Sequence, residues 1–364
     1  MRQPPPHLNG EVDLPSVASM TTKISIKRLG FFTRLLDETS AAERYRLAIE
    51  QIQQAERCGF QSAWIAQHHF HEAEGGLPSP FVFLAQAAAR TRRIRLGTGI
   101  VTLPLEMGIR VAEDAAVLDL MCDQRLEVGV GPGGNLTAFT AFGLDSNARH
   151  KLMGDNLETM RRAWSGDALE GGDRLYPTSP GLADRIWQAT FSVEGARRAG
   201  LAGDGLMLSR TQPRPTDRPN ATLADIQNPM IDAYLEALPK GRSPRILASR
   251  TVFVADDHAE AVKLAEVGAK RQRARLAAAG SFTSGNLVGD LVARFDIHMG
   301  TPDEVAASLL ADDTLKRATD MTIQRHSIDP PHPYILRSIE LMAEKVAPAL
   351  GWSPERDSGE RRVA

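Results

Sequence analysis

The sequence predicts a (β/α)8 barrel with insertions in the loops at its C-terminal rim. Three observations carry that expectation. Short apolar, β-branched runs alternate with helical patterns almost from end to end, and eight such units lie between Ile24 and Leu350. Most of the runs lack hairpin signals between them, so neighbouring strands are joined by helical crossovers and run parallel. A chain of 364 residues suits a closed barrel with insertions, and eight strands fit closure better than an open doubly wound sheet.

In order, the predicted strands are Ile24 to Thr33, Ala63 to Gln67, Ile94 to Leu103, Leu126 to Val130, Ile186 to Thr190, Gly205 to Ser209, Ile246 to Ala255 and Ala318 to Gln324. The first helix, Tyr45 to Gly59, shows apolar positions at Leu47, Ile49, Ile52 and Ala55 with helical spacing. Further helices are expected at Pro80 to Ala89, Arg110 to Met121, Arg149 to Trp164, Ser192 to Leu201 and Ala224 to Leu238. His258 to Ala279, Pro302 to Leu310 and about Tyr334 to Leu350 complete the set. Glu72 to Pro80, Gly166 to Asp184, Thr211 to Asn220 and Ser281 to Gly289 read as rim loops, where barrels build lids and pockets. Residues 1–22, with Pro4-Pro5-Pro6, read as a flexible leader, 23–350 as one domain without linker or repeat, and 351–364 as a polar tail.

Composition narrows the function classes. A hydrophobic fraction of 42% and a charged fraction of 24% belong to a soluble, enzyme-sized protein. A net charge of −2 with scattered basic residues gives no electrostatic footprint for nucleic acid. No apolar run is long enough for a bilayer, and the N-terminal stretch lacks the apolar core of a secretory signal. The two cysteines, Cys58 and Cys122, exclude a disulfide framework and are expected as buried free thiols in a reducing cytoplasm.

Four stretches carry chemistry. Trp64-Ile65-Ala66-Gln67-His68-His69-Phe70 puts two histidines where a buried strand reaches its C-terminal end. Parallel α/β folds present catalytic groups at that edge, and imidazole exchanges a proton near neutral pH. His68 and His69 follow one another, so their side chains point to opposite sides. A plainer role as strand-end caps stays open. The glycines of Gly97-Thr98-Gly99-Ile100 let a flat ring approach a strand closely, or serve only barrel packing. Leu126 to Val130 runs into Gly131-Pro132-Gly133-Gly134, whose successive N–H groups can form an anion-binding concavity without a Walker lysine or Rossmann spacing. Ser192, after the strand ending at Thr190, caps a helix whose N-terminus is a second anion site. A competing reading makes His69-Phe70-His71 a His-x-His metal motif of a hydrolase, with His326 and Asp329 as further ligands.

Together these stretches resemble the bacterial luciferase-like family of flavin-dependent monooxygenases from Ile24 to Leu350. The resemblance rests on His68-His69-Phe70, on Leu96 to Pro104, on Ala112-Glu113-Asp114 with Leu118-Asp119, and on Gly300-Thr301-Pro302. It implies FMN as cofactor, supplied reduced by a separate reductase because no nicotinamide fingerprint is visible. It also implies oxygen and a small organic molecule as substrates, and a homodimer. Gly99 and Ile100 would face the flavin ring across a cis peptide bond, and His68 would lie near its reactive edge. Gly131, Gly133 and Gly134 with Thr190, Ser192 and Val193 would hold the phosphate, while Ser209 and Arg210 would border the flavin. Two positions depart from the luciferase pattern: Gln67 replaces Glu, and Pro132 replaces an arginine for the phosphate. The phosphate then falls to backbone amides, hydroxyls or a basic group such as Arg210. A flavin-binding protein without turnover and a deazaflavin-dependent oxidoreductase are the alternatives on the same fold.

Overall fold

The first apolar run becomes strand β1 (Arg28–Thr33) in the computed structural model, which describes residues 28–278 and 285–353. Residues 24–27 of the expected strand, the leader, residues 281–284 of the last rim loop and most of the tail lie outside the described residues. Helix α1 (Ala41–Arg57) follows, its N-terminus capped by the Ser40 side chain, which accepts from the Glu43 N–H. Then come β2 (Ser62–Ile65), α2 (Pro80–Arg90), β3 (Arg95–Thr98), β4 (Val101–Thr102) and α3 (Gly108–Met121). After β5 (Leu126–Gly131), α4 (Leu136–Ala141) and α5 (Arg149–Trp164), the alternation continues through β6 (Ile186–Thr190), α6 (Val193–Leu201), β7 (Gly205–Leu208) and α7 (Leu223–Ala237). The last part holds β8 (Ile246–Val254), α8 (His258–Ala278), α9 (Leu287–Phe295), β9 (Ile297–Gly300), α10 (Pro302–Leu310), β10 (Asp320–Gln324) and α11 (His332–Leu341).

All pairings are parallel. The ring runs β1-β2-β3-β5-β6-β7-β8-β10 and closes back on β1, so the eight-strand barrel is the observed fold. Four details differ from the sequence expectation. Ile94 to Leu103 is not one strand: β3 stops at Thr98, the Gly99–Ile100 peptide is cis, and β4 resumes the pairing with β5. β9 is an added strand that pairs only with the far end of β8, outside the ring. α4 and α9 occupy stretches expected as loop or left unassigned. The last helix changes to a π-turn over Met342–Val346 before its short final segment, Ala347–Ala349. Cys122 is buried and Cys58 half-buried, and both are free. No helix among the described residues is long and apolar enough to cross a membrane.

Strand alternation sorts the core into two shells. Leu29, Phe31, Ala63, Ile65, Leu96, Val128 and Val130 join the large cluster beneath the helices. Inside the barrel, Trp64 and Trp187 meet edge to face at 5.7 Å, with Met207 and Leu247 beside them. Gly97 makes room for this pair, because a Cβ there would lie 2.2 Å from the Trp64 ring. At the barrel floor, buried Glu127 accepts from Arg28 Nη1 (3.3 Å), Arg95 Nε (2.5 Å) and Trp187 Nε1 (2.7 Å), and Arg28 also pairs with Asp320.

Candidate active site at the C-terminal rim

β2 ends at Ile65, and the next residues form an irregular loop pinned at two points. The Gln67 Nε2 donates to Glu106 Oε1 (2.6 Å) and to the Pro78 carbonyl (3.0 Å), while its Oε1 accepts from the Thr102 N–H (2.6 Å). The His68 N–H donates to the Leu77 carbonyl (3.0 Å). This position, occupied by Glu in the luciferase, therefore clamps the histidine loop to β4. The pinned backbone sends the two histidines to different surroundings. Arg34, just past β1, donates from Nη2 to His68 Nε2 at 3.3 Å. A guanidinium can only donate, which assigns the His68 proton to Nδ1, a buried atom without a hydrogen-bond partner among the described residues. Burial, aided by the charge of Arg34, pushes His68 down to about 3, so it is neutral at pH 7. His69 is also buried but packs edge-on to Phe142 at 5.0 Å and beside Phe70 at 5.8 Å.

His71 is exposed and hydrogen-bonds Thr137 Oγ1 at 3.3 Å. Among the described residues, no three His, Cys, Asp or Glu side chains form a group that could hold a metal ion. The His-x-His reading therefore finds no ligand set. His326 and Asp329, considered in the sequence only as metal ligands, instead pair with each other, Nδ1 to Oδ2 at 2.7 Å. Burial pushes His326 down to about 4 against the pull of Asp329. Its carbonyl accepts from Thr251 Oγ1 (2.9 Å), which in turn accepts from Arg210 Nη1 (3.0 Å). A cavity of about 30 Å³ between the ends of β1 and β10 is lined by Phe32, Arg34, Arg325, His326 and Asp329 among others. Sequence reading missed Arg34, although alternation places it on the face of Gly30 and Phe32.

The other predicted residues sit at the ends of consecutive barrel strands. Gly131 closes β5, and Gly133 takes a left-handed φ of 77° that turns the loop toward α4. Ile100 packs close to Gly131, where a Cβ would lie 3.0 Å from Ile100 Cδ1. Gly99 lies beside Phe32, and Gly134 has nothing within 4 Å of a Cβ position. Thr190 Oγ1 accepts from the Ser192 N–H (3.1 Å), and Ser192 Oγ accepts from the Gly195 N–H (3.1 Å) as the cap of α6. Phe191 and Val193 are exposed at this rim, as are Phe70 and Phe142. Ser209 hydrogen-bonds Thr211 (3.1 Å), and its carbonyl accepts from Gln227. Arg210 is buried, with its guanidinium 6.0 Å from the Phe295 ring, which ties it to the β8 side of the barrel. Glu106 serves Gln67, Arg149 donates to the Ser146 carbonyl, and His150 is exposed.

Comparison with known proteins gives the family and the fold. The crystal structure of monooxygenase RslO1 from Streptomyces bottropensis matches with a TM-score of 0.71 and 27% identity, over 88% of this chain and 99% of that one. 4-Hydroxyprotoasukamycin monooxygenase of Streptomyces nodosus subsp. asukaensis is 34% identical over 178 residues, 46% of this chain and 48% of its own. The oxygenase component of the flavin-dependent trigonelline monooxygenase of Acinetobacter baylyi is 28% identical over 142 residues, 38% and 39% of the two chains. Residues 29–316 match the family model of luciferase-like monooxygenases, and the chain belongs to that family.

Proposed function

We propose that the protein is an FMN-dependent oxygenase that takes its flavin reduced from a separate reductase. It transfers one atom of molecular oxygen to a small organic substrate, and the other leaves as water. The observation that supports this most is the buried, unpartnered Nδ1–H of neutral His68 on a rim that also carries bare glycine backbone. The residues fit the cofactor. Backbone N–H groups of Gly133, Gly134 and Val193, with the hydroxyls of Thr190 and Ser192, would hold the phosphate without an arginine. Gly99 and Ile100 would lie against the ring, with Gly131 behind Ile100 and Ser209 and Arg210 at the border. Reduced flavin supplies the electrons for oxygen activation when bound. His68 would donate from Nδ1 and move a proton, while Arg34 fixes its tautomer. The exposed Phe70, Phe142, Phe191 and Val193 would give substrate an apolar cover that keeps water out.

The assembly and setting follow the same reading. α3 exposes Val117, Leu120 and Met121, and its neighbour α2 exposes Val82, apolar side chains that a second copy would cover in a homodimer. A reducing cytoplasm keeps the free Cys58 and Cys122 as thiols. Fluorescence titration with FMN tests the cofactor. Wild type should bind it, and Ser192→Ala should weaken binding by roughly 1 kcal/mol or more through a lost charge-assisted hydrogen bond. Binding of a deazaflavin but not FMN would replace this reading with a deazaflavin-dependent oxidoreductase. FMN binding without any substrate-dependent oxygen transfer would leave a flavin-binding protein.

A further inference from the structure

Arg325 differs from the other buried arginines of the barrel. Arg250, fully buried, pairs with Asp312 at 2.6 Å, and buried Arg125 donates to carbonyls of Cys122 and Ile94. Arg325 is only 4% exposed, yet none of its three guanidinium nitrogens has a hydrogen-bond partner among the described residues. Burial alone brings it down to about 9, with no charged neighbour contributing, so it remains a cation at pH 7. An uncompensated buried charge is strongly disfavoured, and a guanidinium cannot escape by losing its proton at that pH. Arg325 lines the cavity between β1 and β10, together with Phe31, Thr33, Gln51, Gln324 and Ile335. The acidic groups of the same wall are engaged elsewhere. Asp37 accepts from Gln51 Nε2 at 3.2 Å, and Asp329 is held by His326.

We propose that this cavity binds a small monovalent anion, a halide or a carboxylate head, held by the Arg325 guanidinium. The volume of about 30 Å³ has room for about two water-sized groups, enough for chloride or formate. The Thr33 hydroxyl accepts from the Leu35 N–H (3.1 Å) and keeps its own proton for donation. The site lies at the β1–β10 seam, whereas the glycine loop proposed for phosphate follows β5. It therefore stands whether or not the rim binds flavin.

Thermal unfolding of the full-length, flavin-free protein tests this, with chloride, formate or benzoate titrated at constant ionic strength against sulfate. Chloride and formate should raise the wild-type midpoint by about 4 °C at a hundredfold excess over Kd. Arg325→Met should remove that dependence. A response to benzoate as well would mean that the carboxylate arrives on a larger molecule, and a response to the small ions alone that a free anion occupies the site. A wild type that does not respond, or a variant that responds equally, overturns the proposal and leaves ordered water as the compensation. Should Arg325→Met fail to fold, anomalous diffraction from wild-type crystals soaked in bromide decides. A peak beside Arg325 upholds the site and its absence removes it.

Discussion

At the barrel floor Glu127 satisfies Arg28, Arg95 and Trp187 together, and Asp320 completes Arg28. At the rim, His68 Nδ1, Gln324 Oε1, Ser327 Oγ and the whole Arg325 guanidinium are buried with no partner among the described residues. Both ends grow from the same inward and outward alternation on the same strands. Folded proteins rarely leave buried polar groups unpaired, and the proposed function gives these rim atoms partners from outside the chain. The floor, complete in itself, is organised for stability, as barrel architecture generally divides the two ends.

The largest expected effect falls on the floor. Glu127→Ala removes the one acceptor shared by two guanidinium groups and an indole, leaving the Arg95 charge and the buried Trp187 N–H without it while Arg28 keeps Asp320. The loss should be about 3–5 kcal/mol in urea unfolding, with FMN affinity unchanged in whatever fraction remains folded. A variant of undiminished stability but weakened flavin binding would erase the division between the two ends.

Next comes His68, which probes the rim. His68→Gln keeps an acceptor for Arg34 Nη2 but cannot exchange a proton, so coupled oxygenation should fall about a hundredfold, with hydrogen peroxide released instead. Full activity in His68→Gln would reduce the residue to an anchor for Arg34. The rim should also mark the pH profile. Both His68, at about 3, and His326, at about 4, lie below the ordinary 6.5 because burial favours the neutral form. Between those values the unfolded chain binds protons that the folded chain refuses. Stability is therefore fully present above pH 6.5 and declines as pH falls toward 4 and then 3. Urea midpoints measured across that range check the slope, and His68→Gln should make it shallower.

What the sequence discloses follows the range of the forces involved. Local periodicity marks α5 and α10 at the observed bounds, and the repeated strand–helix units reveal the barrel. β9 escapes because four residues become a strand only by pairing with the last four of β8. α4 is a single short segment made a helix by its Asn135 cap, which accepts from the Thr137 N–H. The break at Gly99–Ile100 was placed by family resemblance, since the run reads locally as continuous. Arg34 and Arg325 belong to no motif that the sequence singles out. Their surroundings appear only when β1, β10, α1 and α11 converge, which places Phe32, Gln51 and Ile335 around one cavity.

The smallest effect sharpens the contrast within the histidine pair. His69 has no polar contact at Nε2 and is held by its rings' neighbours, Phe142 and Phe70. Such aromatic contacts are worth about 1 kcal/mol each, and deleting an unpartnered buried nitrogen offsets part of that loss. His69→Ala should therefore lower the unfolding midpoint by only a few degrees. Phe142 caps the C-terminus of α4, so amide exchange in α4 and the neighbouring loop should quicken. The oxygenation rate should hold, and His69→Phe should restore the midpoint because the ring contact returns without the nitrogen. A His69→Ala enzyme that loses oxygenation while His68→Gln keeps it would exchange the roles of the two side chains. The proton-exchanging group would then belong to the Phe142 side of the loop, and the unpartnered Nδ1 of His68 would be a feature of packing.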